Sequence, residues 1–355
     1  MCGIAGIFHL ETAKPVDPAR VRAMLDAMPH RGPDGSGVWT APGVGLGHLR
    51  LSIIDLAGGA QPMLTEDESL AVVFNGEIYN FAEVRAELEA KGHVFRTHSD
   101  TEVILHGYRQ WGEECVHRFN GMFAFALYDG REGKLYCARD RFGEKPFLFA
   151  DGEGFFAFAS EYKALLSLTE VTADIDRLRL ARFLHQPLQG LDDDRETVFA
   201  GIRQLLPGEL LTLDTRTLAW KVRRYWDIAP DSELGRLSEK DAAARFRELL
   251  TDAVRIRMRS DVAQGSCLSG GLDSASIVCI ARRLLGDEVP YHVFTGRFPG
   301  TDADEWIHAS TVAAHTGATT HVVAPDPGGF TADLAAFAWH NELPVGSTSQ
   351  YAQWC

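Results

Sequence analysis

Around residues 228–237 the chain changes rhythm, and that change limits the folds open to it. Before it, short apolar runs bounded by turn residues alternate with a few helical stretches. After it the pattern is helix, strand, glycine turn and helix, with strands expected near Gly265 to Leu268, Tyr291 to Thr295 and Thr320 to Val323. Alternation of that kind buries its strands in a parallel sheet with crossover helices. The polar stretch from Ile228 to Leu237, which holds Pro230 and Gly235, is the expected linker. Two domains are therefore expected, 1–227 and 238–355. The 355 residues suffice for a core in each, since a domain usually takes about 100–200.

Bulk properties exclude several classes of function. A net charge of -14 argues against a nucleic-acid surface, so small molecules are the expected partners. The apolar start has no basic residue before it and is cut short by Glu11, so Ile4 to Leu10 is expected to be a first strand and not a signal peptide. Cys2 stands where myristoylation needs glycine. No run approaches the length of a membrane helix. A cytoplasmic protein with no membrane partner is expected. The cysteines (Cys2, Cys115, Cys137, Cys267, Cys279, Cys355) show no C-x-x-C spacing and the histidines no H-E-x-x-H pair, so a metal held by side chains alone is not expected.

The chemistry-bearing residues begin at the second position. Once Met1 is removed, Cys2 carries a thiol and a free α-amine on one residue. The amine titrates near about 7.7–8.0 and a thiol near about 8.5, so the first can take the proton of the second. Asp17-Pro18 reads as a helix start with Val21, Met24, Leu25 and Met28 on one face, and Pro29 as its end. His30 to Gly37 reads as a surface loop. Val44 to Ile54 reads as a strand containing Arg50, which could grip a carboxylate or serve as a structural ion-pair partner. Leu70 to Phe74 reads as a strand running into Asn75-Gly76-Glu77. That dipeptide is either a tight turn or a pair of oxyanion donors. Asn80 with Glu83, and Ser99 with Glu102, read as capping boxes, and a helix dipole alone accounts for Asp100. Gly121 to Asp129 and Lys134 to Ala138 read as a buried hairpin with core phenylalanines, followed by the charged turn Arg139 to Pro146.

In the second half, Leu268-Ser269-Gly270-Gly271-Leu272-Asp273-Ser274 stands at the end of a strand and opens a helix. Small residues there let backbone N–H groups and the helix N-terminus hold an anion, most simply a pyrophosphate. A Walker lysine and a G-x-G-x-x-G are both missing, which argues against a P-loop kinase or a Rossmann dehydrogenase.

Taken in order, Met1-Cys2-Gly3-Ile4, Arg31-Gly32-Pro33-Asp34, Arg50-Leu51-Ser52-Ile53, Phe74 to Asn80, Ser99 to Glu102, Gly121 to Phe125, Arg139 to Gly143, Ser160-Glu161 and Ser269 to Ser274 make the chain resemble the glutamine-hydrolysing asparagine synthetases. The resemblance spans essentially the whole chain. It implies an α+β N-terminal-nucleophile hydrolase fold (an α/β/β/α sandwich) followed by an incomplete α/β adenine-nucleotide α-hydrolase-like domain with a parallel sheet. It also implies that Cys2 attacks the side-chain amide of glutamine, that Asn75 and Gly76 form the oxyanion hole, and that Arg50 grips the α-carboxylate. Asp100 with Glu77 would bind the amino end, and backbone groups of the Leu51, Ser52, Ile53 and Ile54 strand would line the pocket.

For the second domain, the resemblance implies ATP held by Ser269, Gly270, Gly271, Asp273 and Ser274, with Leu268 and Thr295 on the adenosine through their backbone. Asp273 would help place Mg²⁺, and no tightly bound organic cofactor is implied. Aspartate would be adenylated and then amidated by ammonia arriving through an internal passage; some relatives amidate other carboxylates. A homodimer is compatible with the resemblance. The family continues to a second glycine-and-acid loop, whereas this chain stops at Trp354-Cys355. A fragment of a longer product is the expectation, and a chain truly this short would be a glutaminase only. Against a stand-alone glutaminase stands the intact Ser269 to Ser274 loop, and against a non-catalytic binding protein stands Cys2.

Overall fold

The computed structural model describes residues 1–10, 14–187, 191, 194–347 and 349–355, so Glu11 in the leading apolar run lies outside the described residues. The chain divides into two units, Met1–Ile228 and Ala229–Cys355.

The first unit is built on two six-stranded antiparallel sheets. One has the order β10-β8-β9-β1-β3-β2 and the other β12-β11-β7-β6-β5-β4. The strands are β1 (Gly3–His9), β2 (Gly35–Ala41), β3 (Val44–Arg50), β4 (Met63–Leu64), β5 (Leu70–Ile78), β6 (Gly121–Asp129), β7 (Lys134–Arg139), β8 (Leu148–Gly152), β9 (Phe155–Ala159), β10 (Ile202–Gln204), β11 (Glu209–Asp214) and β12 (Trp220–Arg224). The helices are α1 (Pro18–Asp26), α2 (Phe81–Glu89), α3 (Asp100–Trp111), α4 (Tyr162–Leu166) and α5 (Arg177–His185).

Period-two alternation decides which core each side chain enters. From β5, Ala71 and Val73 point between the sheets and meet Ile4, Phe8 and Leu46. Its Leu70, Val72 and Phe74 point the other way, onto Val84 and Leu88 of α2 and Val103 and Ile104 of α3. Both faces of the strand are therefore buried, which is why it reads as a continuous apolar run. On the first sheet, Gly45 and Gly47 of β3 leave room for Val21 of α1; a Cβ on either glycine would come within 2.8 Å of that valine. The result is four layers, helix, sheet, sheet and helix. Each phenylalanine buried between the layers, such as Phe156 or Phe158, contributes about 1.5–3 kcal/mol.

Helix starts follow local chemistry at Asp17, whose carboxylate accepts the Ala19 N–H at 2.9 Å, and at Ser99, whose hydroxyl accepts the Thr101 N–H at 3.2 Å. Each cap contributes about 1 kcal/mol. Four sequence expectations are corrected. Asn75-Gly76 makes no tight turn, because β5 runs through both and pairs with β6 as far as Ile78. Gly35 to Gly37 belong to β2, held by the register with β3. The Asn80 box does not form. The Asn80 amide instead donates to the Arg118 carbonyl at 2.9 Å and accepts from the Asn120 N–H at 2.8 Å. Finally, the strand expected to reach Ile54 stops at Arg50. The Asp34 carboxylate takes the Ser52 N–H at 2.7 Å, and Asp55 turns the chain at φ 50°.

The second unit contains α6 (Glu239–Arg257), β13 (Gly265–Cys267), α7 (Leu272–Leu285), β14 (His292–Gly296), α8 (Trp306–Thr316), β15 (Thr319–Val323), α9 (Pro327–Asn341) and α10 (Ser349–Trp354). Its strands are parallel in the order β13-β14-β15. Leu268, Val278, Tyr291, Val293 and Ala309 form its core. No described helix of either unit is long and apolar enough to cross a membrane.

Candidate active site

Cys2 precedes β1, and its surroundings are fixed before any ligand arrives. Its carbonyl accepts from the Arg31 guanidinium at 3.2 Å, and Ile4, the second residue of β1, donates its N–H to the Ser160 hydroxyl at 3.0 Å. Arg31 is in turn paired with Glu161, which also meets His30 at 2.9 Å and Lys163 at 2.5 Å. Burial alone would raise the Glu161 carboxyl, but these cations hold it below its ordinary pKa. At the sulfur, the Cys2 thiol donates to the Leu51 carbonyl at 3.5 Å and accepts the Leu51 N–H at 3.4 Å. Burial pushes the thiol above its ordinary pKa and the Leu51 contact opposes that.

A cleft opens beside the sulfur. Of the residues expected to contact glutamine, Arg50, Leu51, Ile53, Ile54, Asn75, Gly76, Glu77 and Asp100 line it together with Cys2. Ser52 does not line it, since its N–H is turned to Asp34. The Leu51 to Ile54 segment that lines the wall is irregular chain and not the strand expected. Such backbone can point its groups at a ligand because no neighbouring strand takes them.

Three side chains give the cleft its electrostatic character. The Arg50 fork is spread over the carbonyls of Asp55 at 2.6 Å and Leu56 at 2.9 Å, which fixes its direction. Asp100 is the first residue of α3, and its carboxylate accepts the Ile78 N–H at 2.9 Å. Burial, with the Glu77 charge adding to it, pushes Asp100 up to about 7. Glu77 is itself raised by burial, with Lys145 opposing.

β5 supplies the remaining polar groups. The Asn75 amide nitrogen is enclosed and makes no hydrogen bond, although the residue is only 1% exposed. Gly76 must be glycine, because a Cβ would lie 2.1 Å from the Met122 carbonyl oxygen of β6.

Sequence reasoning missed other wall residues, among them Gln61, Thr101 and Lys145. Gln61 spans the gap from β5 to α3, accepting the Phe74 N–H at 2.7 Å and donating to the Thr101 hydroxyl at 3.2 Å. Lys145 is buried with its Nζ 3.6 Å from the Met1 sulfur, and burial lowers its pKa. Its place in a charged turn beside glycine and proline was the available signal. Met1 also lines the cleft.

In the second unit, the Ser269 and Ser274 hydroxyls lie 2.9 Å apart, and Gly271 donates its N–H to Ser269 at 3.2 Å. The Gly270 N–H is taken by a carboxylate, that of Glu305, at 2.9 Å. A Cβ at Gly270 would come 2.6 Å from Cβ of Glu305, so the backbone approach requires glycine. Asp273 stands in the first turn of α7. Leu268 and Thr295 close the strand ends, with the Thr295 hydroxyl donating to the Leu268 carbonyl at 2.8 Å. A loop whose N–H already holds a carboxylate suits the oxygen of a phosphate, and a nearby aspartate suits a hard divalent cation.

The glutamine amidotransferase domain family matches residues 1–226, and the asparagine synthase family matches residues 245–355. Asparagine synthetase [glutamine-hydrolyzing] 3 of Bacillus subtilis is 36% identical over 335 residues, which cover 89% of this chain and 53% of that protein. Asparagine synthetase [glutamine-hydrolyzing] 1 of the same organism is 34% identical over 97% of this chain and 53% of its own length. A relative from Methanocaldococcus jannaschii is 32% identical over 99% of this chain and 70% of its own. The chain thus spans about half the length of the Bacillus relatives.

Proposed function

Because the chain belongs to the family of glutamine-hydrolysing asparagine synthetases, we propose that its first unit hydrolyses glutamine at Cys2 and its second contributes to ATP-dependent amidation of aspartate. The supporting observation is the Asn75 amide. An enclosed N–H group without a partner costs about 1–3 kcal/mol, a cost removed when a ligand oxygen enters the cleft that Cys2 shares.

In this reading Met1 is cleaved and the freed Cys2 α-amine takes the thiol proton. The sulfur attacks the side-chain amide carbon of glutamine, and the carbonyl π electrons move onto oxygen. Asn75 Nδ2 and the Gly76 N–H hold that oxyanion. As it collapses the C–N bond breaks, the amine returns the proton to the leaving nitrogen, and ammonia departs. Water then attacks the thioester, releasing glutamate and the thiol. Arg50 holds the substrate α-carboxylate, and ionised Asp100 with Glu77 holds its ammonium. The charge-neutral amide end is thereby directed to the sulfur.

In the second unit Ser269, Gly270, Gly271 and Ser274 would hold the pyrophosphate part of ATP, and Leu268 and Thr295 would hold the adenosine part. Mg²⁺ beside Asp273 would neutralise phosphate charge. The setting is the cytoplasm, where glutamine, aspartate and ATP are at hand. Glutamate and ammonia release from glutamine, compared between the wild-type chain and Cys2→Ala, tests the first activity. An alanine variant that hydrolyses glutamine at the wild-type rate contradicts it. Aspartate-dependent release of pyrophosphate from ATP tests the second.

A further inference from the structure

His48 stands near the cleft, behind Phe74, and the reaction above leaves it without a task. It lies in β3 with no exposed surface, and β1 places Ile4 opposite it, two residues beyond Cys2. Its Nε2 is 3.1 Å from the Phe74 carbonyl oxygen of β5, in the other sheet. A carbonyl only accepts, so Nε2 carries the proton and Nδ1 is left as a bare acceptor. That Nδ1 is buried and makes no hydrogen bond. Burial holds the ring uncharged, with a pKa pushed down to about 3. An imidazole so placed is a poor way to join two sheets, since an apolar side chain of similar size would leave no polar atom unpaired.

What the imidazole holds gives it a purpose. β4 pairs with β5 only at Val72 and Ala71, so among the described residues no strand lies beside the outer edge of β5 at Phe74. Two side chains stand in for the missing strand. Gln61 accepts the Phe74 N–H at 2.7 Å, and His48 donates to the Phe74 carbonyl. That carbonyl belongs to the peptide unit that leads into Asn75.

We propose that His48 is a positioning residue of the Cys2 centre: by holding the Phe74 carbonyl from the strand beside Cys2, it fixes the Phe74–Asn75 peptide and aims the Asn75 amide at the oxygen of the carbonyl that Cys2 attacks. This inference rests on the glutamine-hydrolysis reading and adds to it the part that sets the span between nucleophile and oxyanion donor. His48 itself touches no substrate.

The test compares His48→Met, His48→Gln and His48→Asn in the full chain. Glutamine's amide nitrogen reaches as far from Cβ as Nε2 does, while asparagine's reaches only as far as Nδ1. Three readouts are taken: kcat and KM for glutamine, affinity for glutamate γ-semialdehyde, and the rate of Cys2 alkylation by iodoacetamide. The aldehyde forms a hemithioacetal whose oxygen needs the Asn75 amide, and alkylation needs no such donor. His48→Met is expected to lose about 10–100-fold in kcat and in aldehyde affinity, as misplacing a catalytic group by about an ångström does. KM and alkylation stay near wild type. His48→Gln recovers most of the loss and His48→Asn does not.

Unchanged kcat in His48→Met overturns the proposal, as does a parallel loss of kcat, KM and alkylation, which marks a scaffold role. Should His48→Met fail to fold, the two amide variants decide, and equal activity of the two overturns it. A wild-type chain that neither hydrolyses glutamine nor binds the aldehyde refutes the glutaminase reading itself. A wild-type activity that survives His48→Met refutes only the part given to His48.

Discussion

The Cys2 thiol donates to the Leu51 carbonyl at 3.5 Å while the Leu51 N–H donates back to the same sulfur at 3.4 Å, so one residue serves both the thiol and the thiolate. With Met1 attached, burial keeps the thiol above its ordinary pKa and no amine is bonded to the same residue. Protein that retains Met1 is therefore expected to react slowly with iodoacetamide at pH 7, gaining rate only in alkali. Protein that begins at Cys2 is expected to react faster at pH 7. Alkylation rates of the two forms against pH check this, and identical profiles contradict the amine's part as base.

Asn75→Ala removes one donor from the oxyanion. The expected loss is about 10²–10³-fold in kcat with little change in KM for glutamine. Because the Asn75 amide nitrogen is enclosed and unpaired, the variant should melt no lower than wild type. Steady-state kinetics and a thermal melt together check both halves. A lower melting temperature with full activity would show that the amide is structural.

Much of this architecture was legible because local chemistry and long-range packing agree. Asp17 and Ser99 start helices where their side chains can cap, and the β6–β7 hairpin and the three parallel strands follow their apolar runs. The mismatches share one physical cause, competition from distant partners. Asn75-Gly76 has the composition of a turn, but β6 pairs it as strand. Asn80 has the spacing of a capping box, but Arg118 and Asn120 take its amide. Ser52 sits inside the motif, but Asp34 turns it from the cleft. Gln61 and His48 meet only at Phe74, so their pairing is invisible along the chain.

Asp100 predicts a pH dependence of stability. Its folded pKa is raised by burial to about 7, above the carboxylate value of about 3.9 in an unfolded chain. The protonated form is the one that the fold prefers. Its contribution is intact below about pH 4 and is lost as the pH rises through about 7. Asp100→Asn is therefore expected to be more stable than wild type at pH 8, by up to the order of 4 kcal/mol, with the gap closing toward pH 4. It should also raise KM for glutamine at least about tenfold, having lost a buried charged partner for the substrate ammonium. In the wild type, KM should fall between pH 6 and pH 8 as Asp100 ionises. Denaturant titrations at several pH values and KM profiles check these expectations.

Gly270→Ala tests the second unit by itself. The added Cβ would meet Glu305 at 2.6 Å from its Cβ and 3.0 Å from its carbonyl oxygen, atoms that cannot swing away as a side-chain end can. The loop must shift, and Mg·ATP binding measured by calorimetry should weaken by more than about tenfold, the cost of about one charge-assisted hydrogen bond. Glutamine hydrolysis should be unchanged.

The most direct test of Cys2 as an N-terminal nucleophile uses a diazoketone analogue of glutamine, which alkylates the group that attacks the amide carbon. Peptide mass spectrometry of the inactivated protein should find an N-terminal peptide that begins at Cys2 and carries the analogue on its sulfur. A label on any other residue, or on a Cys2 still preceded by Met1 in fully active protein, would contradict the account.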